Sequence, residues 1–412
     1  MILRLAFLAL IASSALVVVT VAIMVQPVSA LEEWEVTLVE ANDSPITLYG
    51  TTSIALDSSG APNICYRMCG ESSSIWFSVK HAAMQSDTWD ASFVDGGGNA
   101  FAILPTSIAI DTEDVIHLGY SNVTTGESLV RYANDSAGDW AITDISDGEG
   151  IGAMCVDSRG IGHMCYAVRV GFLDALAYGS NAEGTWTTEI IDDLNHTVHA
   201  SIAVDSDDNV HIAYTIYDGD YSVLYATNAD GTWNPSLVDF GRCGVIALDP
   251  TDDPSIVYVG EDSDQAAIKC AKRSGESWGN STVYIADSID WFPSITIDTE
   301  CKTHVSYSTR TTSSSTLMYA VETDDEWVNS VVEHFEADYL PFLGHSSIVV
   351  GTSGDVHISY MRGQGGSHDD GGGLKYATTQ TPVIPEMSPL GLPLVATTTI
   401  AVLLILRRTR HS

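Results

Sequence analysis

The amino-acid sequence predicts an all-β protein built as a seven-bladed β-propeller. Three observations carry that reading. A fourteen-residue hairpin motif occurs seven times, its copies start 44 to 54 residues apart, and six are followed by a tryptophan-led strand whose seventh counterpart stands at Trp34. A period near 50 with four strands per unit is the signature of radially repeated blades.

The first two strands of each unit come from the motif, best seen in "SIAVDSDDNVHIAY" at 201–214. The other copies span 53–66, 107–120, 153–166, 245–258, 294–307 and 347–360. Each half alternates small or polar residues with branched ones, which is the period of a strand, and the Asp/Ser/Gly cluster between them is turn chemistry. Small residues at Ala55, Ala109, Ala203 and Ala247 suit a crowded strand near an axis.

The third strand follows as segments such as LVRYA (129–133), VLYA (223–226) and LMYA (317–320). The fourth opens on Trp89, Trp140, Trp186, Trp233, Trp278 or Trp327, whose large apolar area suits packing on a neighbouring blade. No tryptophan follows the seventh copy, whereas "WEVTLVE" at Trp34 matches "WDASFVD" (89–95) and "WTTEIID" (186–192). An open array would leave one blade with a bare edge, so the N-terminal strand is expected to complete the last blade.

The two ends read as export and anchoring. Arg4, an apolar run from Leu5 to about Val25 and Val28-Ser29-Ala30 form a signal peptide over 1–30. The propeller is assigned to 31–380, a linker to 381–389, an apolar transmembrane segment to 390–406 and a basic cytoplasmic tip to 407–412. Around Pro385 and Glu386, "IPEMSPLGLP" followed by the span and its basic tip resembles the PEF-CTERM sorting signal of archaeal surface proteins, with Met387 where that family usually has Phe. The resemblance implies processing by an archaeosortase and a place at the cell surface. The hairpin copies themselves resemble the repeats of secreted sialidase-like and NHL-like propellers. That likeness implies a fold and no reaction, because no copy holds a complete sialidase Asp-box and no Arg-Ile-Pro segment occurs.

Residues 31–384 hold 53 of the 54 acids and 13 of the 17 Lys and Arg. Nucleic acid is thereby excluded as a partner, since binding it needs a basic face. Sequons at Asn42, Asn122, Asn134, Asn195 and Asn280 agree with an exported glycoprotein. Seven cysteines leave at least one without a partner in the chain. A hairpin register that pairs Ala203 with Ile212 sets Cys155 opposite Met164, with Cys165 on the other sheet face, so these two are expected not to bond; Cys65 and Cys69 are the better candidates.

Two sets of repeated residues invite a metal and are read instead as structure. His117, His163, His211, His304 and His357 fall on five blades, too far apart to converge on one ion, and are expected to hydrogen-bond near their own turns. Asp57, Asp111, Asp157, Asp205, Asp249 and Asp298 suit the first place of a turn. Asp205, Asp207 and Asn209 have the opening spacing of a calcium loop but lack its later Gly and Glu, so no cofactor is expected, calcium being the one candidate.

Function is expected where the repeat breaks, in the loops of one face. That face collects Arg67, Arg169, Arg242, Arg310 and Arg362, which could grip a carboxylate or sulfate, with the flat surfaces of Trp291 and Tyr339 and the unusual His368 segment. His196, His199 and His345 lie in the same loops. The reading is a surface-anchored module that binds a glycan or another surface protein. A glycoside hydrolase or polysaccharide lyase is the alternative, and a structural envelope component the second.

Overall fold

The computed structural model describes residues 33–41, 51–69, 77–96, 106–123, 128–148, 152–193, 196–290, 292–324, 326–336, 343–363 and 372–379. The leader, the linker with Pro385 and Glu386 and the apolar segment 390–406 lie outside them, as do Asn42, Asn195, Trp291, Tyr339 and His368. No helix among the described residues is long and apolar enough to cross a membrane.

Twenty-eight strands among the described residues form seven four-stranded antiparallel sheets, the blades of a propeller, and no helix is present among them. Blade 1 runs Thr52–Leu56, Pro62–Cys69, Phe77–Gln85 and Thr88–Gly96 from inner to outer strand. Blades 2 to 6 occupy 107–147, 153–192, 196–240, 242–286 and 294–336. Blade 7 takes Leu343–Val350, Val356–Arg362 and Gly373–Thr379 from one end of the propeller and Trp34–Ala41 from the other, with Trp34 opposite Thr379. Every inner–second hairpin turns on one face, the turn face. The outer-to-inner loops and the second-to-third connections share the opposite face, here called the loop face.

The motif's first serine has a role at the axis. The Oγ of Ser53 accepts the N–H of Ile108, and those of Ser107, Ser201, Ser294 and Ser347 accept from Met154, Ile246, Ile348 and Ile54 at 3.0–3.3 Å. Each bond joins an inner strand to the next blade's inner strand. Ala153 and Val245 replace the serine at the two remaining joints.

The motif's last residue governs the seams. Tyr66, Tyr120, Tyr166, Tyr214, Tyr258, Tyr307 and Tyr360 are all buried to within 2% of their surface. Five donate their hydroxyl to a carboxylate on the preceding blade's outer strand: Glu40, Asp95, Asp192, Asp239 and Glu333 respectively for Tyr66, Tyr120, Tyr214, Tyr258 and Tyr360. Each acid stands six residues after its blade's tryptophan. A β-bulge puts it there. In all seven outer strands the register slips at the residue before this position, Val39, Val94, Ile145, Ile191, Val238, Val283 or Val332. The extra residue packs an aliphatic side chain inward, and the bulge re-aims the next side chain toward the neighbouring blade.

Four of the five acidic seams add a cation from the third strand of the tyrosine's own blade: Lys80 on Glu40, Arg131 on Asp95 (2.9 Å), Lys269 on Asp239 (2.9 Å) and Lys375 on Glu333. Where the acid is replaced by Ser146 or Tyr284, the third-strand position holds Ala177 or Met318. Six of the seven tryptophans pack on the preceding blade, edge-on or tilted against its third-strand aromatic, as Trp34 does on Tyr319 and Trp186 on Tyr132 at 5.2 and 5.0 Å.

Two cysteine expectations need correction. Cys155 pairs with His163 rather than Met164, because the turn sets the register one residue away from the one inferred. Cys155 and Cys165 therefore share a sheet face and one apolar cluster. Both are free: they sit diagonally across the ladder, where Cβ separation exceeds the roughly 4 Å a disulfide needs. Cys65 and Cys69 lie four residues apart in one extended strand, about 13 Å at strand rise, and Cys65 is free.

The covariation at the seams gives a test. Lys375→Met leaves Glu333 without its cation and is expected to cost about 2 kcal/mol in chemical denaturation, below the cost of breaking a fully buried pair because both groups keep some solvent. Adding Glu333→Tyr reproduces the Tyr284/Met318 seam and should recover most of that loss. A double variant no more stable than the single one would show that the pairing of residue types is incidental.

Candidate functional site on the loop face

The repeat histidines and aspartates are taken up by the turn face. Asp205 Oδ1 accepts the N–H groups of Asp207 (3.0 Å) and Asn209 (2.7 Å), while its Oδ2 meets Asn209 Nδ2 (2.9 Å) and His211 Nε2 (3.1 Å). His211 Nδ1 in turn meets the Tyr225 hydroxyl at 2.6 Å. The same chain runs Asp111–His117–Tyr132 and Asp298–His304–Tyr319. In blade 7 Gly351 occupies the aspartate's place and Asp355 serves His357 instead. His163 reaches Tyr178 at 2.6 Å and Asp157 at 3.4 Å. Asn63 and His81 make the corresponding pair in blade 1 at 3.0 Å, and blade 5 has Ser255 there. Burial raises the carboxyls of Asp57, Asp111, Asp157, Asp205, Asp249 and Asp298, but these hydrogen bonds outweigh it and hold them below the ordinary range. No three His, Cys, Asp or Glu side chains among the described residues are grouped to hold a metal ion.

The five arginines share the loop face but not one site. Arg169 is mostly exposed and pairs with Asp174 at 2.7 Å. Arg362 lies over the Phe335 ring at 4.5 Å. Arg242 lines a cleft of 450 Å³ between blades 4 and 5. Arg310 Nε stands 3.4 Å from Asp290 Oδ1, and Arg67 is buried at the mouth, where its charge acts on His345. Of the sequon asparagines described, Asn134 and Asn280 lie at the rims of their blades, but Asn122 is 8% exposed, which leaves no room for a glycan on the folded chain.

The mouth centres on Phe292. Thr51, His199, Cys243, Phe292 and His345 each stand two residues before the motif and so enter the inner ring at its loop-face end. Phe292, in blade 6's entry loop, stacks on His345 of blade 7 at 3.7 Å and lies 5.5 Å from His199 of blade 4. Touching blades 4 and 7 at once places its ring across the axis. It does so with φ at +77°, a conformation that non-glycine residues rarely adopt and that marks a constrained site. Burial brings His199 down to about 4, and burial with the charges of His199 and Arg67 brings His345 down to about 3, so both rings are neutral at pH 7.

Beside them lies a carboxylate that sequence reasoning passed over. Asp290 is 7% exposed; its N–H donates to Ser308 O at 2.9 Å, and burial pushes its carboxyl upward against the opposing pull of Arg310. Its Oδ2, the Oδ1 of Asn122, the Oγ1 of Thr197 and the Nδ1 of His199 are buried polar atoms with no hydrogen-bond partner among the described residues. All four belong to the loop face. The sequence signal was available, since Asp290 precedes the motif by four residues in a loop that also holds Trp291 and Phe292, but the loops carry too many acids for one to stand out.

No protein family and no curated protein matches the chain. Solved structures do. A protein of unknown function from Dyadobacter fermentans aligns over 83% of this chain and 98% of its own at 11% identity and a TM-score of 0.51. A polysaccharide lyase of family PL25, an ulvan lyase bound to -[GlcA(1-4)Rha3S]-, aligns over 84% and 94% at 11% identity and 0.54. The NanB sialidase of Streptococcus pneumoniae covers 87% and 72% at 11% identity with a TM-score of 0.42. The likeness is one of fold. At such identity no residue role transfers.

The neutral buried histidines set a pH dependence. His81 and His199, at about 4, and His345, at about 3, titrate near 6.5 when unfolded, so protons favour the unfolded chain as pH falls from about 6.5 toward 4. Each contributes about 1.4 kcal/mol per pH unit in that window, and the lowered aspartates add acid sensitivity only below their ordinary value of 3.8. The melting temperature is expected to drop between pH 7 and pH 4.5, and His199→Gln should flatten the drop. A melting temperature constant over that range would refute the assignment of neutral rings.

Proposed function

We propose that this protein is an exported propeller that binds an anionic polysaccharide at the mouth of its loop face, held at the cell surface by its C-terminal apolar segment. One observation carries the reading. In a domain with 53 acids and 13 bases, Arg67, Arg242 and Arg310 come to the loop face, where neutral histidines and unsatisfied polar atoms are also buried. Arginine in an acidic surface selects ligands with carboxylate or sulfate groups, which it can grip bidentately.

Asp290 and His199 support a second reading, polysaccharide lyase. A neutral imidazole can take the proton next to a uronate carboxylate, an arginine can hold the charge that develops there, and a carboxyl raised by burial can return a proton to the departing glycosidic oxygen. The ulvan lyase shows that the fold accommodates such a substrate class.

The test is binding and turnover on ulvan, chondroitin sulfate and neutral dextran. Wild type is expected to bind the two anionic polymers and not dextran, with affinity falling as salt rises. Arg67→Ala and Arg310→Ala should each weaken binding about tenfold or more. Ultraviolet absorbance from an unsaturated uronate, lost in His199→Ala, would establish the lyase. Equal binding of dextran would overturn the anionic reading.

A further inference from the structure

The 450 Å³ cleft between blades 4 and 5 falls within the size range of small-ligand sites, about 300–1,000 Å³. It lies off the axis, away from Phe292. Asp220 and Tyr221 of blade 4 form one wall, Glu261 and Lys269 of blade 5 the other, with Phe240 and Arg242 between them. Its floor is close-packed because Gly241 and Gly260 lack a Cβ; a Cβ on Gly241 would stand 2.7 Å from the Tyr258 ring.

What sets this quarter of the loop face apart is uncovered aromatic surface. Phe240 is 66% exposed at the cleft, and Tyr217 is 45% exposed, its ring 4.9 Å from that of Tyr221. Phe172, at the tip of blade 3's second-to-third turn, is 91% exposed. Beyond these, the exposed large aromatics among the described residues include only Phe93, on an outer strand. Three ring systems thus follow one another across blades 3 and 4 and end at a cleft containing Arg242.

We infer that this series is a sugar-binding track, and that the cleft is a subsite for a pyranose unit of a chain whose other units cross Tyr217 and Phe172. The inference rests on the glycan reading and deepens it. A pyranose has an apolar face and a polar edge. Flat rings set apart from one another serve the face, while Asp220 and Glu261 as acceptors and Arg242 as donor serve the hydroxyls and acid groups of the edge. A protein partner would call for one contiguous apolar patch, whereas here the exposed rings stand on separate turns, with Asp218 and Asp220 in the turn that joins Tyr217 to Tyr221.

The test uses size-fractionated chondroitin sulfate, from the disaccharide upward, titrated into the wild type, Phe240→Ala, Phe172→Ala and Arg310→Ala at low and high salt. Phe240 and Phe172 are exposed, so their variants fold. In wild type, affinity should rise with chain length. Phe240→Ala and Phe172→Ala should each cut the affinity of long chains about tenfold, a loss typical of one stacked ring, and equally at both salt concentrations. Unchanged affinity at every length in both aromatic variants, with binding lost in Arg310→Ala, overturns the track and leaves the mouth standing. Loss in the aromatic variants with Arg310→Ala unaffected does the reverse. Failure of wild type to bind any chain overturns both.

Discussion

A tyrosine hydroxyl taken wholly out of water must find an acceptor or cost the fold a kilocalorie or more, and this propeller buries one tyrosine at the same place in every blade. Much of the molecule follows from where the acceptor comes from. In five seams it is a carboxylate on the preceding blade, so each blade completes its polar core only against its neighbour. The carboxylate reaches the seam because the outer strand carries a bulge, and the bulge is filled by an aliphatic residue that seals the seam from outside. A buried carboxylate in turn favours a cation, which four third strands supply. Burial and the adjacent carboxylate raise the tyrosine pKa in these seams, which keeps the phenol a donor.

That requirement shapes the charge of the whole domain. Four of its few basic side chains are committed to seams, and others are bound to turn-face or surface acids. The acids outnumber them so far that any arginine near an open mouth has local competitors. Arg169 loses that competition to Asp174. Arg310 is held against Asp290, whose carboxyl burial pushes upward against the pull of that arginine.

The blades were legible in the sequence because their constraints are local and repeated: period-2 alternation on both sides of an aspartate turn, and a tryptophan at constant offset. What was harder to read is what one blade demands of another. The match of Glu40 with Lys80, or of Tyr284 with Met318, is written in the chain, but only the order of blades in space reveals which positions to compare. The cysteine register failed for a related reason. Asp205 and its turn bond set which residues face each other, and a one-residue error in placing that turn moves Cys165 to the opposite face. At the mouth, His199, His345 and the arginines could be singled out as scarce residue types in loops. Asp290 could not, because its distinction is burial, and burial is a property of the closed ring.

The contrast between the two faces bears on function more than any single residue does. On the turn face blades 2, 4 and 6 close the same chain of hydrogen bonds, Asp to backbone, His to Asp, Tyr to His, and turns are tied to turns, as Ser58 is to Asp114 at 2.8 Å. On the loop face the entry residues Thr51, His199, Cys243, Phe292 and His345 follow no single residue type, and oxygen and nitrogen atoms of Asn122, Thr197, His199 and Asp290 are buried without partners among the described residues. Leaving such atoms unsatisfied costs stability. Phe292, on the same face, is held in an unfavourable backbone conformation between two neutral histidines, a constraint that the repeat itself does not impose.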